Sequence, residues 1–104
     1  MLQYKHQQNG GNMEKIKFVN LHAHSGVGSP FDGFGYPQEH MNFAFDNGCE
    51  ALALTDHGNM NGFAYQVLHA KKMKKQGKNF KPIFGVEAYF IPSVPDWKKQ
   101  IEEL

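Results

Sequence analysis

Ala51-Leu52-Ala53-Leu54-Thr55 is a short, unbroken apolar run that leads into Asp56-His57-Gly58. Strands buried on both faces in a parallel sheet read this way, because covering both faces removes the alternation of apolar and polar residues. Upstream, Ile16-Lys17-Phe18-Val19-Asn20-Leu21 is rich in β-branched and aromatic residues and predicts a first strand over 16–22. Downstream, Pro82 to Ile91 predicts a third, with Pro92 just beyond its end.

Helical patterns separate these strands. Pro37 opens a helix over about 37–47, where Met41, Ala44 and Phe45 follow at i, i+3 and i+4 and Gly48 supplies the C-terminal cap. A second helix, about 62–76, is capped by Asn59 or Asn61 and ended by Gly77. Its apolar positions are Phe63, Val67 and Ala70, with Leu68 and Met73 on the flank. Pro95 starts a third, 95–104, with Trp97, Ile101 and Leu104 on one face. Strand–helix alternation of this kind predicts the α/β class, with parallel strands and right-handed crossovers. Three such units form only part of any barrel.

Residues 1–12 are polar and read as a disordered tail; 13–94 hold the folded part, and 95–104 a trailing helix. That helix stops at Leu104 without a capping signal, so the chain reads as cut off: a fragment, a truncated gene or one piece of a split protein.

The 104 residues allow one small domain, and 40% apolar with 20% charged residues favours a folded core. Eleven basic residues nearly balance ten acidic ones for a net charge of +1, unlike a free-standing nucleic-acid binder. The one basic run, Lys71, Lys72, Lys74, Lys75, Lys78 and Lys81, reads first as a solvated helix face and second as a phosphate-contacting patch. Cys49 is the single cysteine, which rules out an internal disulfide and fits a reducing cytosol. No stretch approaches the ~20 apolar residues of a membrane span, and the N-terminus lacks a signal-peptide core. A cytoplasmic protein without membrane contact is expected.

The histidines carry the chemistry. His22 and His24 lie two residues apart at the end of the first predicted strand, so both rings point to one face and can meet one cation. Neutral imidazole suits zinc, iron or manganese. Alone, such a pair is a weak signal. Asp56 and His57 follow the second strand, and loops at the carboxyl ends of parallel strands form active sites. Glu87 lies within the third strand, where a carboxylate is costly unless paired, metal-bound or facing solvent on an edge. Asp32 lies in the glycine-rich loop 23–36, in an Asp-Gly pair that is also an ordinary turn. Successive strand ends each supplying His, Asp or Glu make a metal site the better reading. His6, His40 and His69 lack such settings, and Cys49 reads as a small buried residue.

Phe18-Val19-Asn20-Leu21-His22-Ala23-His24-Ser25 resembles the first motif of PHP domains, and Ala53-Leu54-Thr55-Asp56-His57-Gly58-Asn59-Met60 the second. The Asp-His-Gly-Asn-Met stretch, and Lys81 to Tyr89, are similar to the PHP domain at the front of bacterial or phage DNA polymerase III alpha subunits. The resemblance implies a distorted (β/α)7 barrel, of which this chain would be about the first three βα units. It implies His22, His24, Asp32, His57 and Glu87 as metal ligands, Glu87 as a bridging carboxylate, and Asp56 as a catalytic residue beside His57. The family centre holds up to three zinc, manganese or iron ions; here the cluster would be incomplete, its later ligands lying beyond Ile91.

The parent implied is a DNA-directed DNA polymerase for DNA replication, with metal-dependent phosphoesterase or 3′–5′ exonuclease chemistry in its PHP domain. This chain alone is expected to be inactive, to reach DNA through the parent, and to partner the remainder of the alpha subunit or a complementary fragment. The alternatives are a piece of a stand-alone, histidinol-phosphatase-like PHP phosphoesterase and a non-catalytic scaffold segment.

Overall fold

A computed structural model describes residues 18–104. Five elements follow in order: α1 (Pro37–Asp46), β1 (Ala51–His57), α2 (Phe63–Lys75), β2 (Lys81–Glu87) and α3 (Val94–Glu102). The polar tail, His6 and the start of the first predicted strand lie outside the described residues.

β1 and β2 pair in parallel from Ala51 opposite Lys81 to His57 opposite Glu87. On the other edge of β1, Asn20 makes an isolated parallel bridge to Leu52. Within the described residues, the first predicted strand is reduced to that bridge. The reason is local: the next rungs go to side chains. His22 N–H donates to Asn20 Oδ1 at 3.0 Å and Ala23 N–H to Thr55 Oγ1 at 3.2 Å. Thr55 N–H still donates to the Ala23 carbonyl at 2.7 Å, so the segment stays alongside β1 as it reaches the histidines.

The ladder carries β1 two residues past Thr55, so Asp56 and His57 belong to the strand itself. β2 stops at Glu87, short of the predicted Ile91. Gly58 explains both ends. It takes φ +69°, donates to the Glu87 carbonyl at 3.0 Å and turns the chain away, leaving Ala88 onward without that neighbour.

Met41 and Ala44 of α1, Leu52 of β1, Met73 of α2 and Phe80 form the core, with Ala23, Phe45, Cys49 and Ala70 against it. Pro37 begins α1, and Gly48, at φ +88°, follows its end. The buried stripe of α2 is Gln66 and Met73, with Ala70 half-buried between them. The predicted stripe through Phe63 and Val67 is therefore offset by about one residue, or roughly 100° of helix rotation. Gln66 is admitted because its Nε2 donates to the Ile83 carbonyl at 3.3 Å, which a count of apolar residues does not register.

Gly62, not an asparagine, is the N-cap of α2. Asn59 turns inward, its Nδ2 donating to the Gly28 and His57 carbonyls at 2.8 and 2.9 Å. Lys72, Lys74 and Lys75 occupy the last turn of α2, where cations complement the helix dipole. α3 is capped by Ser93 Oγ, which accepts from Asp96 N–H at 3.2 Å. It buries no residue: Trp97 and Ile101 stay about half exposed, at 45% and 49%. Among the described residues, no helix is long and apolar enough to cross a membrane.

Candidate metal centre

The register of the sheet assembles the site. His57 and Glu87 are cross-strand partners at the carboxyl ends of β1 and β2, so their side chains leave the same face. The His22–His24 segment arrives at that rim from the other edge of β1. His22 Nε2 and His24 Nε2 donate to Glu87 Oε1 at 2.9 and 2.8 Å, and His57 Nδ1 lies 3.0 Å from Glu87 Oε2. The glycine-rich loop brings Asp32 back over the rim, with Oδ2 2.7 Å from His57 Nε2 and 3.6 Å from His24 Nδ1. The His24 ring stands 4.2 Å from that of His57 and 4.9 Å from that of His22, centroid to centroid.

Among the described residues, two groups of potential ligands result, His22–His24–Glu87 and His24–Asp32–His57. Within each, the donor atoms lie within 4.8 Å of one another. His24 belongs to both, presenting Nε2 to one and Nδ1 to the other. A neutral imidazole has only one nitrogen free to accept, so His24 can serve one ion at a time. Glu87 has no such limit, since Oε1 faces His22 and His24 while Oε2 faces His57.

Charge in the cluster follows these contacts. The hydrogen bond that His57 donates to Asp32 raises the His57 pKa above its ordinary 6.5, against a smaller opposing effect of desolvation, with the charges of Asp32 and Glu87 adding to the rise. The hydrogen bonds from His24 and then His22 hold the Glu87 pKa below its ordinary 4.5. The donor set of imidazole nitrogens and carboxylate oxygens fits zinc, manganese or iron. Ligands bound to a tetrahedral ion at about 2.0–2.1 Å stand about 3.4 Å apart, so contacts now held by protons need open only by several tenths of an ångström.

Asp56 takes a different place. As the strand neighbour of His57 it points to the opposite face, where it is 3% exposed. Oδ1 accepts from Ser25 N–H at 2.7 Å and Ser29 Oγ–H at 2.8 Å, and Oδ2 from Ser25 Oγ–H at 2.8 Å. Ser25 and Ser29 carry no chemical signature of this role in the sequence, and Asn59, expected to cap a helix, instead braces the loop through the Gly28 and His57 carbonyls. The only signal for Ser25 and Ser29 was their place in the loop between two potential ligands.

Among the described residues, the other two histidines, His40 and His69, stand apart. His40 Nε2 donates to the Phe34 carbonyl and His69 Nε2 meets Asn42 Oδ1, both at 2.8 Å. Burial, followed by Lys72 and Lys78, lowers the His69 pKa. Cys49 is half-buried against the core.

Parallel strand ends that gather imidazoles and carboxylates on one rim define an α/β protein whose side chains could hold a metal ion. The PHP domain signature matches residues 20–103, and the chain belongs to the PHP domain family. It is 42% identical over 80 residues to DNA polymerase III subunit alpha of Treponema pallidum, a match covering 77% of this chain and 6% of that protein. Against the PolC-type DNA polymerase III of Thermotoga maritima it is 39% identical over 79 residues, or 76% and 5% of the two chains. An error-prone DNA polymerase of Nocardia farcinica is 39% identical over 72 residues, 69% and 6%. The chain is thus a PHP-domain segment homologous to the N-terminal region of DNA polymerase III alpha subunits, and it spans about one-twentieth of their length. No solved structure matches it significantly.

Proposed function

We propose that this chain forms the first part of the metal-dependent phosphoesterase centre of a replicative DNA polymerase. In this reading His22, His24 and Glu87 would hold one divalent ion, and Asp32 and His57, with Glu87 within reach, would hold a second. Bound zinc, manganese or iron would activate water and stabilise the negative charge that develops on a phosphoester. The chain's own residues bind and orient: the strand register fixes Glu87 against His57, and the loop after His24 sets Asp32.

The observation that carries the reading is the convergence of five separated side chains into two groups sharing His24. Polymerases among the relatives support a replicative parent over a stand-alone phosphatase. The remaining ligands, the polymerase machinery and the DNA contacts belong to the rest of such a parent, at work in the cytoplasm. Asp56 contributes to catalysis through the placement of the ligands.

Elemental analysis after dialysis tests the reading. The chain should retain one or two divalent ions and show no hydrolysis of DNA ends or phosphate esters by itself. Replacing His22 and His24 together with alanine should abolish retention, whereas His40→Ala with His69→Ala should leave it intact. Metal-dependent turnover by this chain alone would show that it is a self-sufficient enzyme.

A further inference from the structure

Among the described residues, Asp56 is the most buried charged side chain, and its partners belong to the loop that links two candidate ligands. His24 immediately precedes Ser25, and Asp32 lies three residues after Ser29. Ser25 and Ser29 clip together, the Ser29 amide donating to the Ser25 carbonyl at 2.9 Å. Ser29 is the joint. Its hydroxyl donates to Asp56 and accepts from His57 N–H at 3.1 Å, while its carbonyl accepts from Asp32 N–H at 3.2 Å and Gly33 N–H at 2.7 Å. A chain of short contacts therefore runs from Asp56 through Ser29 to the backbone of Asp32, with His57 held in the same network.

Close packing leaves the joint little freedom. A Cβ on Gly28 would lie 2.5 Å from Asp56 Oδ2 and 2.7 Å from Asn59 Oδ1. One on Gly33 would lie 2.7 Å from the Ser25 carbonyl oxygen. Both glycines are needed for the backbone to approach this closely. The hydrogen bonds from Ser25 and Ser29 offset part of the cost of burying this carboxylate, and removing it would orphan the groups it holds.

We infer that Asp56 is a positioning residue: through Ser25 and Ser29 it fixes the loop that sets Asp32 against His57, and so selects the second of two metal positions. The inference rests on the metal reading above. It distinguishes the two ligand groups. Glu87 is set by the strand register and the His22–His24 segment by its bonds along β1, whereas Asp32 depends on the loop that Asp56 anchors. Outer partners of this kind are worth about ten- to a hundredfold in metal affinity.

The test is a cobalt(II) titration of the chain followed by visible absorption, beside amide hydrogen exchange of the metal-free chain. Asp56→Asn and Ser29→Ala should weaken the second equivalent by about ten- to a hundredfold and remove its absorption bands, while the first equivalent keeps its spectrum. In the metal-free variants the amides of Asp32 and Gly33 should exchange faster, and those of Ala53 and Thr55 should remain protected. A purely structural role would instead expose the Ala53 and Thr55 amides and weaken both equivalents together, which would overturn the inference. So would two equivalents bound as in the parent chain. If Asp56→Asn unfolds the sheet, Ser29→Ala, which removes only one hydroxyl, decides by the same readouts. If the parent chain takes up no cobalt, the metal reading fails, and exchange at Asp32 and Gly33 still decides whether Asp56 anchors the loop.

Discussion

β1 and β2 have the same length and pair residue for residue, yet they differ in burial. Ala51 to Leu54 and Asp56 are buried in β1, whereas β2 has no buried residue and exposes Phe84 and Val86 at 41% and 43%. β1 has neighbours on both edges, the Asn20 segment and β2. Among the described residues, β2 pairs with β1 alone. Each strand nevertheless ends on a ligand candidate, His57 or Glu87, and these two face each other. Packing and ligand placement are thus separate properties of this sheet: one strand supplies the core, and the other holds a carboxylate in register.

The sharpest way to break that division is to excavate β1. Leu52 is 4% exposed and sits in the core with Met41 and Met73. Leu52→Ala should destabilise the chain by about 2–5 kcal/mol, a large part of the margin of a small domain. Urea melts of the parent and variant measure it, and a loss below about 1 kcal/mol would show that the core lies elsewhere.

Glu87→Gln tests the other half. Its carboxylate is a member of the first group and touches His57 as well, so metal retention should fall by more than the roughly ten- to a hundredfold typical of an outer partner. The fold should be little affected, because the side chain is partly exposed and the ladder bonds come from the backbone. Isothermal titration with zinc reads the affinity, and far-ultraviolet circular dichroism reads the fold. Unchanged affinity would remove Glu87 from the centre.

How much of this was legible depends on what each residue needs. Pro37, Gly48 and Gly77 mark helix ends because their backbone chemistry is local. The meeting of His22, His24, His57 and Glu87 was accessible from period-two geometry and the rule that sites lie at carboxyl strand ends. The inward turn of Gln66 was not, since a polar residue enters the core only when a partner such as the Ile83 carbonyl waits there. Neither was the task of Ser25 and Ser29, which depends on a carboxylate some thirty residues away. Met73 was read as a flank residue because Phe63 and Val67 look more apolar in one dimension. In the fold Phe63 stays 46% exposed, its ring 4.8 Å from that of Phe84.

A smaller effect concerns pH, in the metal-free chain. The raised pKa of His57 contributes stability that is fully present below the ordinary 6.5 and is lost as pH rises through the folded value. The lowered pKa of Glu87 contributes stability that is present above the ordinary 4.5 and is lost as pH falls through the folded value. The cluster should therefore stabilise the fold most between those two pH values and less on either side. Solvent exposure and salt screening keep the effect small. The difference in Tm between the parent chain and His57→Gln, followed across pH, isolates the alkaline limb. With zinc present that limb should reverse, because His57 must give up its proton to bind. A difference that grows from pH 6 to pH 9 without metal would contradict the assignment of the His57 shift to Asp32.

The smallest effect expected is at Val86, and it probes the exposed side of the comparison directly. Val86 is paired with buried Asp56 yet remains 43% exposed, between the half-buried Gly85 and Glu87. Successive side chains on a strand leave opposite faces, so trimming Val86 should not disturb Glu87. Val86→Ala removes two methyl groups that already meet solvent, and should change stability by no more than about 0.5 kcal/mol. Zinc affinity should stay at the parent value. Urea melts at two protein concentrations measure the first quantity and also guard its interpretation. A loss comparable to that of Leu52→Ala would mean that this face is covered in solution. If the melt also depended on concentration, the cover would be a second copy pairing along the open edge of β2. A small and concentration-independent change would leave the two strands as unequal in energy as they are in burial.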